Sequence, residues 1–144
     1  MPKSRALCLL LCLALANAVL AGCGSTAEPA LKMADLESMP HAVQAAPAAV
    51  QEAYRFAAAN PDVLQHLPCY CGCGSMGHTS NYACYIAGQD AAGALQFDEH
   101  ALGCSICVDI TLDAMRLLKE GRTVPDIKAY VDATYARYGP SNMP

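Results

Sequence analysis

The chain has 144 residues, with 9 basic against 13 acidic side chains and a formal net charge of −4 at pH 7. A chain of this length holds one domain with a modest core. Its acidic balance and the lack of any basic stripe argue against a nucleic-acid partner. Neither a nucleophile elbow nor a zinc-protease helix signature is present in the sequence, which favours a binding protein over an enzyme.

The first 22 residues have the organisation of a signal peptide. Lys3 and Arg5 precede an apolar run that is too short to cross a bilayer comfortably, and small residues lead from it to Cys23. This end resembles the cleavage box of bacterial lipoproteins, which implies that residues 1–22 are removed and that Cys23 carries the lipid. The alternatives are a plain secreted protein and an uncleaved anchor helix. We therefore expect an extracytoplasmic protein, on the periplasmic or cell-surface side, anchored to a membrane by lipid.

Residues 23–45 are predicted to form a flexible, lipidated tether. They are mostly small and polar, contain Pro29 and Pro40, and lack sustained hydrophobic periodicity. Residues 46–140 are then predicted to form the folded domain.

Two helices are predicted at the start of this domain. Apolar residues at helical spacing between Pro47 and Ala59 indicate the first, with Pro47 in its first turn. Asn60 is the expected N-cap of a short second helix, which has Pro61 at its first position and ends at Pro68.

The next segment carries three thiols on alternate residues, Cys69, Cys71 and Cys73. In an extended strand successive thiols would point to opposite sides, whereas a turn at Gly72 and Gly74 can bring them together. The spacing therefore predicts an irregular loop.

Three further elements are predicted between the loop and the last helix. A short helix lies between residues 77 and 86, and a connector runs from Gln89 to Phe97. Asp98 is the expected N-cap of a longer helix that Gly121 ends, and a start at Gly103 is the alternative.

A final helix begins at Thr123, which with Asp126 has the spacing of a capping box, and it stops at Gly139. No strand alternation of convincing length is present in the sequence. The predicted fold is therefore all-α, a small helical domain that presents an irregular cysteine-rich loop behind a signal peptide and a tether.

Six cysteines remain when the signal peptide and Cys23 are set aside. In an oxidising compartment such thiols are expected to form disulfides, bind metal ions or take part in redox reactions. The longer helix would align three donors on one face, at i, i+4 and i+7. We predict a metal site whose candidate ligands are Cys69, Cys71, Cys73, His78, Cys84, His100, Cys104 and Cys107.

This donor set points to copper(I) or zinc. A closed zinc site needs four ligands, so the surplus of thiols favours a low-coordinate soft ion such as Cu(I), or several ions that share thiolates. Iron–sulfur clusters are disfavoured because the common ferredoxin spacings are absent from the sequence. The sequence identifies no protein partner.

Two alternatives to a metal remain open. Six thiols can also form three disulfides, in fifteen pairings, although Cys69 and Cys71 are too close in sequence to pair without strain. Bridges would also leave the two histidines without a role. A redox pair at Cys104-x-x-Cys107 is the third hypothesis, but this chain has no βαβ unit around it.

The hexapeptide at residues 68–73 reads Pro-Cys-Tyr-Cys-Gly-Cys, and it is followed by the His78, Cys84, His100 and Cys104-x-x-Cys107 pattern. This pattern resembles the bacterial family named for its PCYCGC motif, over about residues 48–138. The family consists typically of lipoproteins or secreted proteins of unassigned function. The resemblance therefore implies a location and a domain extent, while the chemistry depends on the thiols.

Overall fold

A computed structural model describes residues 30–143, so the predicted signal peptide, Cys23 and the first part of the predicted tether lie outside the described residues. The α-helices are α1 (His41–Gln44), α2 (Ala48–Ala59), α3 (Pro61–Leu64), α4 (Ser105–Lys119) and α5 (Val124–Tyr135). Two strands, β1 (Ile86–Gln89) and β2 (Leu95–Phe97), pair as an antiparallel hairpin. Single 3₁₀ turns occupy Leu36–Ser38, Cys73–Met76, Tyr82–Cys84, His100–Leu102 and Ala136–Tyr138.

The part of the predicted tether that the structure describes packs on the domain. Met39 and Val43 are buried in the core. The Arg55 side chain on α2 donates a hydrogen bond from Nε to the carbonyl of Ala34 (2.7 Å). Leu31, Met33, Ala34 and Leu36 are partly buried against the core. Their irregular spacing gives no helical or strand periodicity, so the sequence did not predict this packing. Residues 30–45 are therefore part of the folded unit and are not a free tether.

The first two predicted helices are present as α2 and α3, but α3 ends at Leu64 and does not reach the predicted stop at Pro68. Pro47 precedes α2 and Pro61 opens α3, as their fixed φ favours. The capping role predicted for the Asn60 side chain is wrong. Its Nδ2 instead donates to the carbonyls of Phe56 and Lys32, because this buried amide closes the end of α2 and holds the N-terminal segment.

The connector predicted from Gln89 to Phe97 is instead the β1–β2 hairpin. Asp90 Oδ1 accepts hydrogen bonds from the backbone N–H groups of Ala92 and Ala94, and Gly93 adopts a left-handed φ of 86° in the turn. In place of the helix predicted between residues 77 and 86, the structure has one 3₁₀ turn, Tyr82–Cys84. The fold is mostly helical with a small two-stranded sheet, so the all-α prediction was incomplete.

The long helix does not start at Asp98. A 3₁₀ turn at His100–Leu102 is followed by a break at Gly103, and α4 begins at Ser105 with Cys104 as its N-cap residue. The alternative start at Gly103 was the better prediction. Asp98 lies just before that turn, and its Oδ1 accepts a hydrogen bond from the backbone N–H of His100 (2.8 Å).

The last helix is confirmed, including its capping box between Thr123 and Asp126, a feature that contributes about 1 kcal/mol in other proteins. Gly121 ends the preceding helical stretch with a left-handed φ of 78°. Helix α4 packs against both α2 and α5, and Tyr54 on α2 makes an edge-to-face contact with Tyr85 beneath the cysteines. Within residues 30–143, no helix has the length and apolar character that a bilayer crossing requires.

Candidate metal centre

The sulfur atoms of the cysteine loop meet those of α4 and of the Tyr82–Cys84 turn. Cys69 Sγ lies 3.4 Å from the sulfurs of both Cys71 and Cys107, and Cys71 Sγ lies 3.6 Å from Cys107 Sγ. Cys73 and Cys84 bring their sulfurs to 3.6 Å. All six cysteines of the described residues are free thiols. Thiolates that share one tetrahedral ion at about 2.3 Å lie roughly 3.8 Å apart, so these separations suit coordination.

Both predicted histidines lie at this cluster. His100 Nε2 is 3.4 Å from Cys71 Sγ, and the His78 and His100 rings stand edge to face with centroids 5.1 Å apart. His78 Nε2 faces Asp98 Oδ2 at 3.4 Å, whereas its buried Nδ1 has no hydrogen-bond partner among the described residues. A neutral imidazole with its proton on Nε2 keeps a free lone pair on Nδ1. That lone pair is what a metal ion requires.

The potential ligand atoms form four overlapping groups, and within each group all atoms lie within 4.8 Å of one another. The groups are Cys71, His100, Cys104 and Cys107; Cys73, His78, Cys84 and His100; Cys69, Cys71 and Cys73; and Cys69, Cys84 and Cys107. Each of the eight predicted residues belongs to at least one group. The structure therefore brings all of them together, close enough to hold a metal ion.

The loop owes its shape to two glycines. Gly72 has a φ of 86° and Gly77 a φ of 92°, values in the left-handed region that other residues rarely adopt. They flank the 3₁₀ turn Cys73–Met76, which turns the Cys73 sulfur inward. Gly74 was predicted as the second turn residue, but that role falls to Gly77.

The C-terminal segment, which the sequence did not connect with the site, closes over the loop. Asn142 accepts a hydrogen bond on Oδ1 from the backbone N–H of Cys69 (2.6 Å), and its Nδ2 lies 3.4 Å from Cys73 Sγ as a donor. Gly139 makes the approach possible, because a Cβ there would lie 2.9 Å from the carbonyl oxygen of Tyr70. A polar terminus beyond the predicted domain boundary gives no sequence signal for this contact.

A buried polar network supports the first turn of α4 from below. The carbonyl oxygen of Cys107 accepts hydrogen bonds from Asn81 Nδ2 (3.2 Å) and Tyr85 Oη (2.8 Å), and Thr111 Oγ1 lies 3.2 Å from it. Asn81 Oδ1 in turn accepts from Thr111 Oγ1 at 2.8 Å. These three side chains, also missed from the sequence, fix the position of Cys107.

The contacts among the thiols redistribute their protons. Hydrogen bonds donated by the thiols of Cys107 and Cys84 lower the pKa of Cys69, because they stabilise its thiolate. Donation to Cys69 correspondingly raises the pKa of Cys107, and burial raises that of Cys71. A thiolate at Cys69 that is surrounded by thiol protons is a site where a cation can take the place of those protons.

The PCYCGC hexapeptide at Pro68–Cys73 therefore has a defined structural role, since it delivers three sulfurs to one cluster. A family model described as "Protein of unknown function with PCYCGC motif" matches residues 12–144. The chain belongs to this family. The match extends beyond residues 48–138, the segment that carries the resemblance. It includes Asn142, which contacts the PCYCGC loop. No curated protein and no solved structure matches the chain.

Proposed function

We propose that this protein binds thiophilic d¹⁰ metal ions, Cu(I) before Zn(II), at its Cys/His cluster, and handles them on the extracytoplasmic side of a membrane. The observation that carries the proposal is the convergence of eight sulfur and imidazole donors from the loop, the 3₁₀ turns and α4. Thiolates and imidazoles are the ligands that these ions prefer.

The buried histidine favours metal binding over a disulfide scaffold. Three bridges would satisfy the thiols, but they would leave His78 Nδ1 buried without a partner in the described part of the chain. A bound ion satisfies the sulfurs and this nitrogen together. Disulfide formation would also leave the contact between Asp98 and His78 without a role, whereas a metal site would use it to orient the imidazole.

The three-sulfur group favours Cu(I) over Zn(II). Cys69, Cys73 and Cys84 are buried, and each pair of their sulfurs lies within 4.8 Å. Three thiolates make a complete shell for a soft, low-coordinate ion, whereas zinc completes a tetrahedron with a fourth ligand. The surplus of protein ligands also favours binding over catalysis, because a catalytic metal keeps an open position.

Metal titration of the exported, full-length protein tests this proposal. Reduced protein is titrated anaerobically with Cu(I) against a chromophoric Cu(I) chelator, and separately with Zn(II) against a zinc indicator. We expect tight binding of Cu(I), tighter than that of Zn(II), and six reactive thiols after denaturation of the metal-free mature domain. The double variant Cys69→Ser, Cys107→Ser serves as control and is expected to lose most of the capacity.

Two other results would contradict the proposal, in whole or in part. Protein isolated from its own compartment that carries no metal, takes up neither ion and shows no free thiol after denaturation would establish a disulfide scaffold in place of the proposed function. Preference for Zn(II) over Cu(I) would overturn the order of the two ions while it leaves metal binding intact.

We further propose that Cys23 carries the lipid that holds the protein to the membrane, since small residues precede it after a signal-like segment. Cys23→Ser is expected to abolish lipid labelling and to release the protein from membranes or leave it unprocessed. Cys12→Ser, within the same leader, is the matched control and should be labelled normally. Undiminished labelling of the Cys23→Ser protein would rule out this attachment site.

A further inference from the structure

We infer that the cluster contains two metal centres of unequal exposure, an outer centre that exchanges its ion and an inner centre that retains it. This inference rests on the proposed function. It adds the number of metal centres and the order in which they release their ions. The outer centre consists of Cys71, His100, Cys104 and Cys107, and the inner centre of Cys69, Cys73, His78 and Cys84.

The four overlapping donor groups can be assigned to two sets of three sulfurs and one imidazole, and Cys69 also lies 3.4 Å from the outer sulfurs of Cys71 and Cys107. The four outer donors all lie within 4.8 Å of one another. Among the inner donors, Cys73, His78 and Cys84 satisfy the same limit, and Cys69 lies within it from both Cys73 and Cys84.

His100 is the one histidine that belongs to groups in both centres, and its chemistry assigns it to one of them. Its Nε2 is 3.4 Å from Cys71 Sγ in the outer set. A neutral imidazole nitrogen has a single lone pair, so Nε2 binds one ion. His78, with its unpartnered Nδ1, then supplies the nitrogen of the inner set.

One ion would leave the cluster unsatisfied. A single ion takes three or four donors, so at least four would remain, among them buried thiols or an unpartnered imidazole. Sulfur contacts across the boundary, such as Cys69 to Cys107 at 3.4 Å, place the two centres side by side, where thiolates can bridge them.

The two sets differ in their access to solvent. In the outer set, Cys71, His100 and Cys104 are half-buried and Cys107 is buried. Cys104 lines a surface cavity of about 380 Å³ beside Leu102 and Val50. Every member of the inner set is buried, with His78 the most exposed at 8%. An ion can therefore reach or leave the outer centre directly, while the inner centre lies beneath the Asn142 contact.

Chelator competition on the full-length, reduced protein loaded with Cu(I), and in parallel with Zn(II), tests the inference. We expect two equivalents per chain and two phases of release, fast and slow. Cys104→Ser should remove the fast phase and keep about one equivalent. Cys84→Ser should remove the slow phase, and His78→Gln provides a second inner variant that keeps every thiol in case Cys84→Ser does not fold.

The outcomes distinguish failure of the two-centre arrangement from failure of metal binding itself. Two equivalents released in separate phases, each lost in its own variant, would support the two-centre arrangement. One equivalent, a single phase, or loss of all metal in both Cys104→Ser and His78→Gln would overturn it while metal binding stands. Failure of the unmodified protein to bind either ion would overturn the proposed function itself.

Discussion

Replacement of Asp98 by Asn is expected to lower metal affinity by about 10–100-fold, the usual effect of removing a carboxylate that orients a ligating histidine. Asp98 Oδ2 faces His78 Nε2 (3.4 Å), and Oδ1 accepts from the backbone N–H of His100 (2.8 Å). An amide has one oxygen and cannot serve both histidines. If its NH₂ group faces His78, Nε2 must accept and the proton moves to Nδ1, the atom needed for the metal.

Two measurements separate this positioning role from a merely structural one. Chelator competition gives the affinity, and ¹⁵N NMR of the His78 ring reports the tautomer, which a loss of stability alone would not change. The matched control is Asp90→Asn in the exposed hairpin turn, which keeps an acceptor oxygen for Ala92 and lies outside the cluster. Unchanged affinity and an unchanged tautomer in Asp98→Asn would show that the carboxylate does not orient His78.

Asn81→Ala is expected to destabilise the reduced, metal-free protein by about 3 kcal/mol. The Asn81 side chain is fully buried, donates to the carbonyl of Cys107 and accepts from the Thr111 hydroxyl. Its loss removes two hydrogen bonds at about 1 kcal/mol each and leaves a small cavity and a weakened polar network. Because this network holds the first turn of α4, the same substitution should also loosen Cys107.

Urea unfolding of the reduced, metal-free protein measures this effect. Gln65→Ala removes an amide from an exposed position and is expected to stay within about 0.5 kcal/mol of the unmodified protein. A change below about 1 kcal/mol in Asn81→Ala would mean that the network beneath Cys107 tolerates the loss of a member, against the prediction.

The elements predicted well were those specified by neighbouring residues. Pro47 before α2 and the capping box of Thr123 and Asp126 at α5 act within one helical turn, so their residues identify the helix starts directly. The β1–β2 hairpin was missed because strands of three and four residues offer too little alternation to distinguish them from a connector. The start of α4 was ambiguous because Asp98 precedes a separate 3₁₀ turn, His100–Leu102, which ends at Gly103 before α4 begins.

At the candidate site, the types of ligand residue could be predicted from the sequence, whereas their arrangement could not. The sequence by itself determined which donors are available, since thiols and imidazoles are kinds of ligand that a metal ion could use whatever their exact positions. It also determined the family, through the Pro68–Cys73 hexapeptide.

Only the tertiary structure decided how these donors are arranged and what holds them. The Asn142 contact to the loop and the Asn81 contact to Cys107 join residues 73 and 26 positions apart in the chain. The burial of Cys69, Cys73 and Cys84 next to the half-buried Cys71 and Cys104 likewise follows from tertiary packing. Contacts of this kind leave no local pattern, because they depend on where distant segments meet after the helices have packed, and local spacing and periodicity report only on neighbours along the chain.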